Sequence, residues 1–229
     1  MRVMPALFLD LDDTLIDRAS AFRGWAEELV RDHRLSGEDL DWLITVDREG
    51  YEPRERVAAA ILERFGLTGW SVDDLAADLR HAVVERLVLA AEVPRALAAA
   101  RDAGWVPVVV TNGALVQQER KLRRTGLDRL VAGWVVSEAA GCAKPDPRIF
   151  DLAARVAGRP LDGAWMIGDS AANDIGGAHA AGLDSVWVHH GRTWHDRAFA
   201  PSVIVDTCPA AIDHVVVQPR SGLPDSVRR

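Results

Sequence analysis

Short apolar runs mark this chain on either side of a long helical stretch, and the two regions follow different periods. Leu7-Phe8-Leu9 is the first run. After residue 89 come Val106–Val110, Trp134–Val136, Ala164–Ile167 and Ser185–His189, with Val203–Val205 as a candidate edge strand. Runs that stay apolar, without alternating, fit strands covered on both faces. Helical patterns fall between them, over Pro94–Ala103, Leu115–Thr125, Pro147–Ala157, Asn173–Ala181 and Pro209–Val217. Gly104 stops the first of these, and Pro147 suits the first turn of the third. Strands alternating with helices predict an α/β fold, a doubly wound parallel sheet with right-handed crossovers.

From Ser20 to about Leu87 the period is helical throughout. Phe22, Trp25, Ala26 and Leu29 share one face. Val57, Ala60, Ile61 and Phe65 repeat the spacing and stop at Gly66, and Leu75, Leu79, Val83 and Leu87 give a third face capped by Ser71 or Asp73. The predicted organisation is a core of residues 1–16 and 89–217, with a helical domain of residues 17–88 inserted after the first strand. Residues 218–229 are polar without periodicity and are expected to be poorly ordered.

The first strand ends in three carboxylates within four residues, Asp10, Asp12 and Asp13. Asp10 and Asp12 are one strand period apart, so both can point to one side of the strand end. Two such charges at ~4 Å repel by about 4 kcal/mol at an effective dielectric of ~20, and a divalent cation is the simplest compensator. Read alone, the segment also fits a helix cap or a turn. Three later segments change that balance: Val108-Val109-Val110-Thr111-Asn112-Gly113, Ala143-Lys144-Pro145-Asp146-Pro147, and Met166-Ile167-Gly168-Asp169-Ser170-Ala171-Ala172-Asn173-Asp174. Each lies at or just after an apolar stretch and opens into a helical pattern, which is where open α/β sheets hold ligands.

In that order the four segments read DxDxT, a Thr after a strand, Lys-Pro and GDxxxxD, and the chain resembles the haloacid dehalogenase-like (HAD) hydrolase superfamily over residues 7 to about 190. Within it, the aspartate-nucleophile phosphatases are the most similar. The resemblance implies a Rossmann-like core with an α-helical cap that closes over the active site. It implies Asp10 as nucleophile, Asp12 as general acid and base, and Mg²⁺ held by Asp10, the Asp12 backbone carbonyl, Asp169 and Asp174. Asp174 could ligate directly, act through water, or cap a helix. Thr111, Asn112 and Lys144 would meet the phosphate, although Asn112-Gly113 also reads as a simple turn. Thr14 and the turn at Asp13 would set geometry, with Asp13 itself structural, and Gly168 would let the backbone approach the metal closely.

Relatives with other chemistries test the resemblance. Dehalogenases expel halide without a proton and lack the second Asp, so Asp12 argues for an alkoxide leaving group. Phosphonate-cleaving relatives use a cap lysine, and residues 17–88 contain none. A phosphoglucomutase-like isomerase and a non-enzymatic phosphate-ligand binder remain as alternatives. The runs TNG, GLDRL and SEAAGCAKPDPRIF are similar to the branch of pyrimidine 5′-nucleotidases and acylneuraminate 9-phosphatases. The predicted substrate is a small phosphorylated metabolite, such as a nucleoside 5′-monophosphate or a sugar phosphate. In the inserted domain, Arg18, Arg23, Trp25, Trp42, Tyr51 and Arg54 are candidates for substrate choice, each of which also fits core packing or surface pairing.

Composition narrows the partners. Net charge is −7 over 229 residues, and residues 17–88 hold 16 acidic residues against 10 Arg, so a nucleic-acid partner is not expected. No apolar run is long enough to span a bilayer, Asp10 interrupts any signal-like start, and Cys142 and Cys208 form no framework. Cytoplasmic residence is the expectation, and oligomeric state is left open. Of 27 basic residues only Lys121 and Lys144 are lysine. Lys144 falls where a compact ammonium suits a carboxylate and a phosphate better than a guanidinium would. Lys121, amid Arg120, Arg123 and Arg124, reads as solvated surface, so Lys121→Arg is expected to be silent. His189, His190 and His195 have irregular spacing and read as loop residues.

Overall fold

Ala6, Leu7, Phe8 and Leu9 are completely buried, and they form β1, Ala6–Leu9, in the middle of a six-stranded sheet. The computed structural model describes residues 5–218. The other strands are β2 (Val106–Thr111), β3 (Gly133–Val136), β4 (Trp165–Gly168), β5 (Asp184–Val188) and β6 (Val203–Val205). Their order is β3-β2-β1-β4-β5-β6, and every neighbouring pair is parallel. Phe8 pairs with Val108 on one side and Met166 on the other. The chain therefore builds outward from β1 to β3, then returns to β4 on the other flank. A reversal of this kind leaves a crevice at the carboxyl ends of the strands on either side of it.

The helices are α1 (Arg18–Asp32), α2 (Gly37–Asp47), α3 (Arg54–Phe65), α4 (Val72–Glu85), α5 (Glu92–Asp102), α6 (Leu115–Thr125), α7 (Ser137–Ala140), α8 (Arg148–Ala157), α9 (Gly176–Ala180) and α10 (Cys208–Val217). Ala6, Phe8, Val108, Val110 and Met166 share a core with Ile149, Phe150 and Ala153 of α8, and the rings of Phe8 and Phe150 lie 6.1 Å apart. Alternation turns Leu7, Leu9, Val109 and Ile167 to the opposite face, where they are equally buried. Helices α5 and α10 pack on each other, α5 also on β2 and α10 on β4 and β5. With both faces covered, β1 is apolar along its whole length and β2 and β4 nearly so. The α/β class and parallel sheet expected from the sequence are the observed ones.

Two details differ from the sequence reading. Residues 173–181 do not form one helix: a wide turn, Ala171–Ile175, precedes α9. The N–H groups of both Asp174 and Ile175 donate to the Ser170 carbonyl, and this widening swings the Asp174 side chain back toward Ser170. In the helical stretch, α2 is a separate element that the apolar spacing does not mark. Its helix signal lies mainly in its cap, where Ser36 and Asp39 exchange side-chain and backbone hydrogen bonds, since Leu43 is its one buried apolar residue. At the C-terminus, Gln218 donates its N–H to Val215; the rest of the expected tail, residues 219–229, lies outside the described residues.

Residues 17–88 form a compact unit of their own, and the remaining residues form the other. Inside the helical unit, buried Asp47 accepts hydrogen bonds from Arg18, at 2.6 Å, and from Arg54. Phe22 lies beneath both guanidiniums. Burial pushes the Asp47 carboxyl up, but the two guanidiniums outweigh it and hold it below the usual aspartate range. Asp47→Asn would remove the negative charge that pairs with buried Arg18, 3% exposed, and is expected to cost about 3–5 kcal/mol at pH 7. A depressed folded-state value means that this stability is complete above about pH 4 and disappears as pH falls through the lowered value. Thermal melts of wild type and Asp47→Asn should therefore converge on acidification. A constant difference between pH 7 and pH 3 would contradict this ion pair as the source.

Candidate active site

The Asp10 N–H donates to Ile167 O at 2.9 Å, so the β1–β4 ladder runs on into the loop and fixes Asp10 at the strand end. Its carboxylate meets Lys144, whose Nζ lies 2.5 Å from Asp10 Oδ1, 2.6 Å from Val110 O and 2.6 Å from Asp174 Oδ1. The first two contacts are hydrogen bonds and the third is an ion pair. Burial works against the Lys144 charge, but Asp10 and Asp174 overcome it and raise its pKa. The Asn112 carboxamide holds the loop carrying that lysine: Nδ2 donates to Lys144 O and Oδ1 accepts from Lys144 N, both at 2.9 Å. The Asn112 side chain thus positions the lysine loop.

Asp10, Asp169 and Asp174 each offer an oxygen within 4.8 Å of the others. Asp174 is fully buried, and its Oδ2 accepts from Ser170 N at 2.9 Å. Gly168 makes room for it, because a Cβ there would lie 2.2 Å from Asp174 Oδ2. The space beside Gly168 thus holds a carboxylate. Burial pushes Asp169 up to about 7, reinforced by Asp174 and Asp13 and opposed by Arg192. Burial also drives Asp10 well above the usual range; Lys144 pulls it down while Asp174 and Asp169 push it further up. Three carboxylates around one ammonium leave a formal charge of about −2 when ionised, which a divalent cation neutralises. Oxygen donors without sulfur or imidazole suit a hard ion such as Mg²⁺.

Asp12 turns to α6. Lys121 Nζ is 2.8 Å from Asp12 Oδ1 and 2.7 Å from Oδ2, and Gln118 Nε2 is 2.9 Å from Oδ2. Lys121 is 7% exposed, which corrects its reading as solvated surface: the neighbouring arginines face solvent while Lys121 and Leu122 turn inward. Both lysines of the chain are thus buried against carboxylates of this site. Thr111, 1% exposed, accepts from Gln118 Nε2 at 2.6 Å through its hydroxyl.

Several contributors had no local pattern in the sequence. Arg192 Nη2 donates to Asp169 Oδ2 at 3.0 Å and to Asp169 O at 2.8 Å, and Trp187 Nε1 donates to the same carbonyl at 2.7 Å. His190 is a loop residue as read, yet its Nε2 lies 2.5 Å from the carbonyl of Asp13. Asp13 itself has φ +56°, a left-handed conformation that Asp tolerates in turns. Of the substrate-choice candidates, Arg18 and Arg54 pair with Asp47, Trp25 packs on Phe22 and bonds Asp78, and Trp42 packs against Phe65 and Arg64. Tyr51 and Arg23 are exposed. Among the described residues no helix is long and apolar enough to cross a membrane.

Comparison with known proteins agrees with this arrangement. A phosphoserine phosphatase of Thermus thermophilus is 29% identical over 88% of this chain and 95% of its own length. A pyrimidine 5′-nucleotidase of Escherichia coli is 37% identical over 43% of this chain and 44% of its own length. A HAD hydrolase structure from Bacillus subtilis superposes with a TM-score of 0.76 at 23% identity, covering 95% of this chain and all of that one. The haloacid dehalogenase-like hydrolase family matches residues 4–182, and the chain belongs to that family.

Proposed function

We propose that this protein is a Mg²⁺-dependent phosphatase that hydrolyses a small phosphomonoester through an aspartyl-phosphate on Asp10. The carrying observation is the convergence of Asp10, Asp169, Asp174 and Lys144 at the strand ends, with Asp12 beside them. The relatives named for phosphoserine, pyrimidine 5′-nucleotides and glyceraldehyde 3-phosphate all act on small phosphorylated molecules, which supports the class of substrate. The substrate proposed is a nucleoside 5′-monophosphate or a sugar phosphate. The helical unit, residues 17–88, is proposed as the cap that selects among them.

In the first step the Asp10 oxygen not held by Lys144 attacks phosphorus as the bond to the leaving oxygen breaks, and Asp12 gives that oxygen a proton. In the second, water attacks the phosphoryl group, Asp12 takes its proton, and phosphate leaves Asp10. Asp10, Asp169 and Asp174, with the Asp12 backbone carbonyl, would hold Mg²⁺, which when bound offsets phosphoryl charge. Thr111 and Lys144 would meet the phosphoryl oxygens, Lys144 by exchanging one of its protein contacts. The presence of Asp12 favours an alkoxide leaving group over halide.

The test joins activity to binding. Exhaustive EDTA treatment should abolish hydrolysis of p-nitrophenyl phosphate, and Mg²⁺ should restore it. Independently of turnover, Mg²⁺ at about 100 times its Kd should stabilise the protein by about 2.7 kcal/mol, a rise of several degrees in Tm. Activity that survives EDTA, or a Tm indifferent to Mg²⁺, would count against the metal.

A further inference from the structure

Helix α6 turns two polar side chains inward, Gln118 at 2% and Lys121 at 7% exposure. Residues three apart on a helix lie on the same face. Lys121 meets both Asp12 oxygens, while Gln118 Nε2 joins Asp12 Oδ2 to Thr111 Oγ1 at the end of β2. Reversing the Gln118 amide would set its oxygen against the Asp12 carboxylate, so local charge dictates the orientation. Gly113 makes room for this arrangement: it has φ +141°, and a Cβ there would lie 3.2 Å from Gln118 Cδ. These contacts link the loop after β1 to α6 through the Asp12 carboxylate, and α6 to the end of β2 through the Gln118 amide.

We propose that Lys121 and Gln118 are positioning residues for Asp12, holding its carboxylate in one orientation and registering it to Thr111. The proposal rests on the acid–base role of Asp12 proposed above. Asp12 retains 24% side-chain exposure, so water would compete for its oxygens if the clamp were absent. An aspartate free to rotate spends only part of its time aligned with the leaving oxygen, and a misplacement of ~1 Å can cost about 10²-fold in rate. A lysine and a glutamine on one inward helix face provide the restraint without themselves needing to exchange a proton.

The experiment is a double-mutant cycle of Asp12→Asn and Lys121→Met, read as kcat/KM on p-nitrophenyl phosphate and on glycerol phosphate. This parameter reports formation of the phosphoenzyme, so slow hydrolysis of that intermediate does not mask the result. Lys121→Met should lower kcat/KM on glycerol phosphate by about 10- to 100-fold. The loss should be smaller on p-nitrophenyl phosphate, whose leaving group needs little protonation. Lys121→Arg should recover part of the loss, and Lys121→Met should do no further harm in the Asp12→Asn background. Losses that multiply in the double variant, or that are equal on both substrates, would overturn the positioning role. Asp12→Asn at wild-type activity on glycerol phosphate would overturn the acid–base reading and the clamp together; a damaged Asp12→Asn beside an intact Lys121→Met would overturn the clamp alone. If Lys121→Met melts below the assay temperature, the same cycle with Lys121→Arg and Gln118→Leu decides by the same criteria.

Discussion

Asp10→Asn is expected to remain folded and to lose on the order of 10⁴- to 10⁶-fold in turnover, the scale seen when a covalent nucleophile is removed from an otherwise intact site. The carboxamide is nearly isosteric, so the β1–β4 ladder at Ile167 is untouched, and Lys144 keeps its contacts with Val110 O and Asp174. An amide oxygen still accepts a hydrogen bond but attacks phosphorus poorly. Acid quench during turnover should recover covalent phosphate on wild type and none on the variant. Covalent phosphate on Asp10→Asn, or activity within tenfold of wild type, would remove Asp10 from the role of nucleophile.

Lys144→Arg should lose at least about 100-fold in kcat/KM while remaining folded. The Lys144 side chain is 2% exposed, and its ammonium donates to Asp10 and Val110 O and pairs with Asp174. A guanidinium directs its donors in one plane from a larger group and cannot serve all three from that volume. The charge is kept, so the loss measures geometry. Lys121→Arg cannot act as the silent comparison, since Lys121 holds Asp12. Arg123→Lys can, because Arg123 is exposed and pairs across the helix surface with Glu119. Wild-type kcat/KM in Lys144→Arg, with an unchanged circular dichroism spectrum, would show that the lysine's shape is irrelevant to phosphoryl transfer.

The parallel sheet was readable because β1, β2 and β4 are apolar on both faces and stop abruptly at Asp10, Thr111 and Asp169. Those three residues lie at or beside strand ends, whereas Lys144 lies beyond α7 and was marked by the Lys-Pro segment of the resemblance. Lys121 had no such mark. On a helix with Arg120, Arg123 and Arg124, inward and outward polar residues differ only in what lies opposite, and Asp12 is 109 residues away in sequence. The rarity of lysine was the available clue, and it applied equally to both lysines. Arg192 and His190 reach the site from the loop after β5, where no periodicity predicts direction. Helix α2 was obscured because its buried surface ends in Asp47, a charge neutralised by Arg18 and Arg54 from neighbouring helices.

Positions 168 and 174 compete for one volume, and this has a consequence for altering the enzyme by substitution. Any side chain at 168 requires the carboxylate at 174 to move, and that carboxylate also engages Ser170 N and Lys144. Substitutions at the two sites therefore cannot be scored independently: a variant library that randomises 168 while holding Asp174 will return glycine. One that randomises both can recover larger residues at 168 only by giving up the oxygen that Lys144 and the carboxylate cluster share.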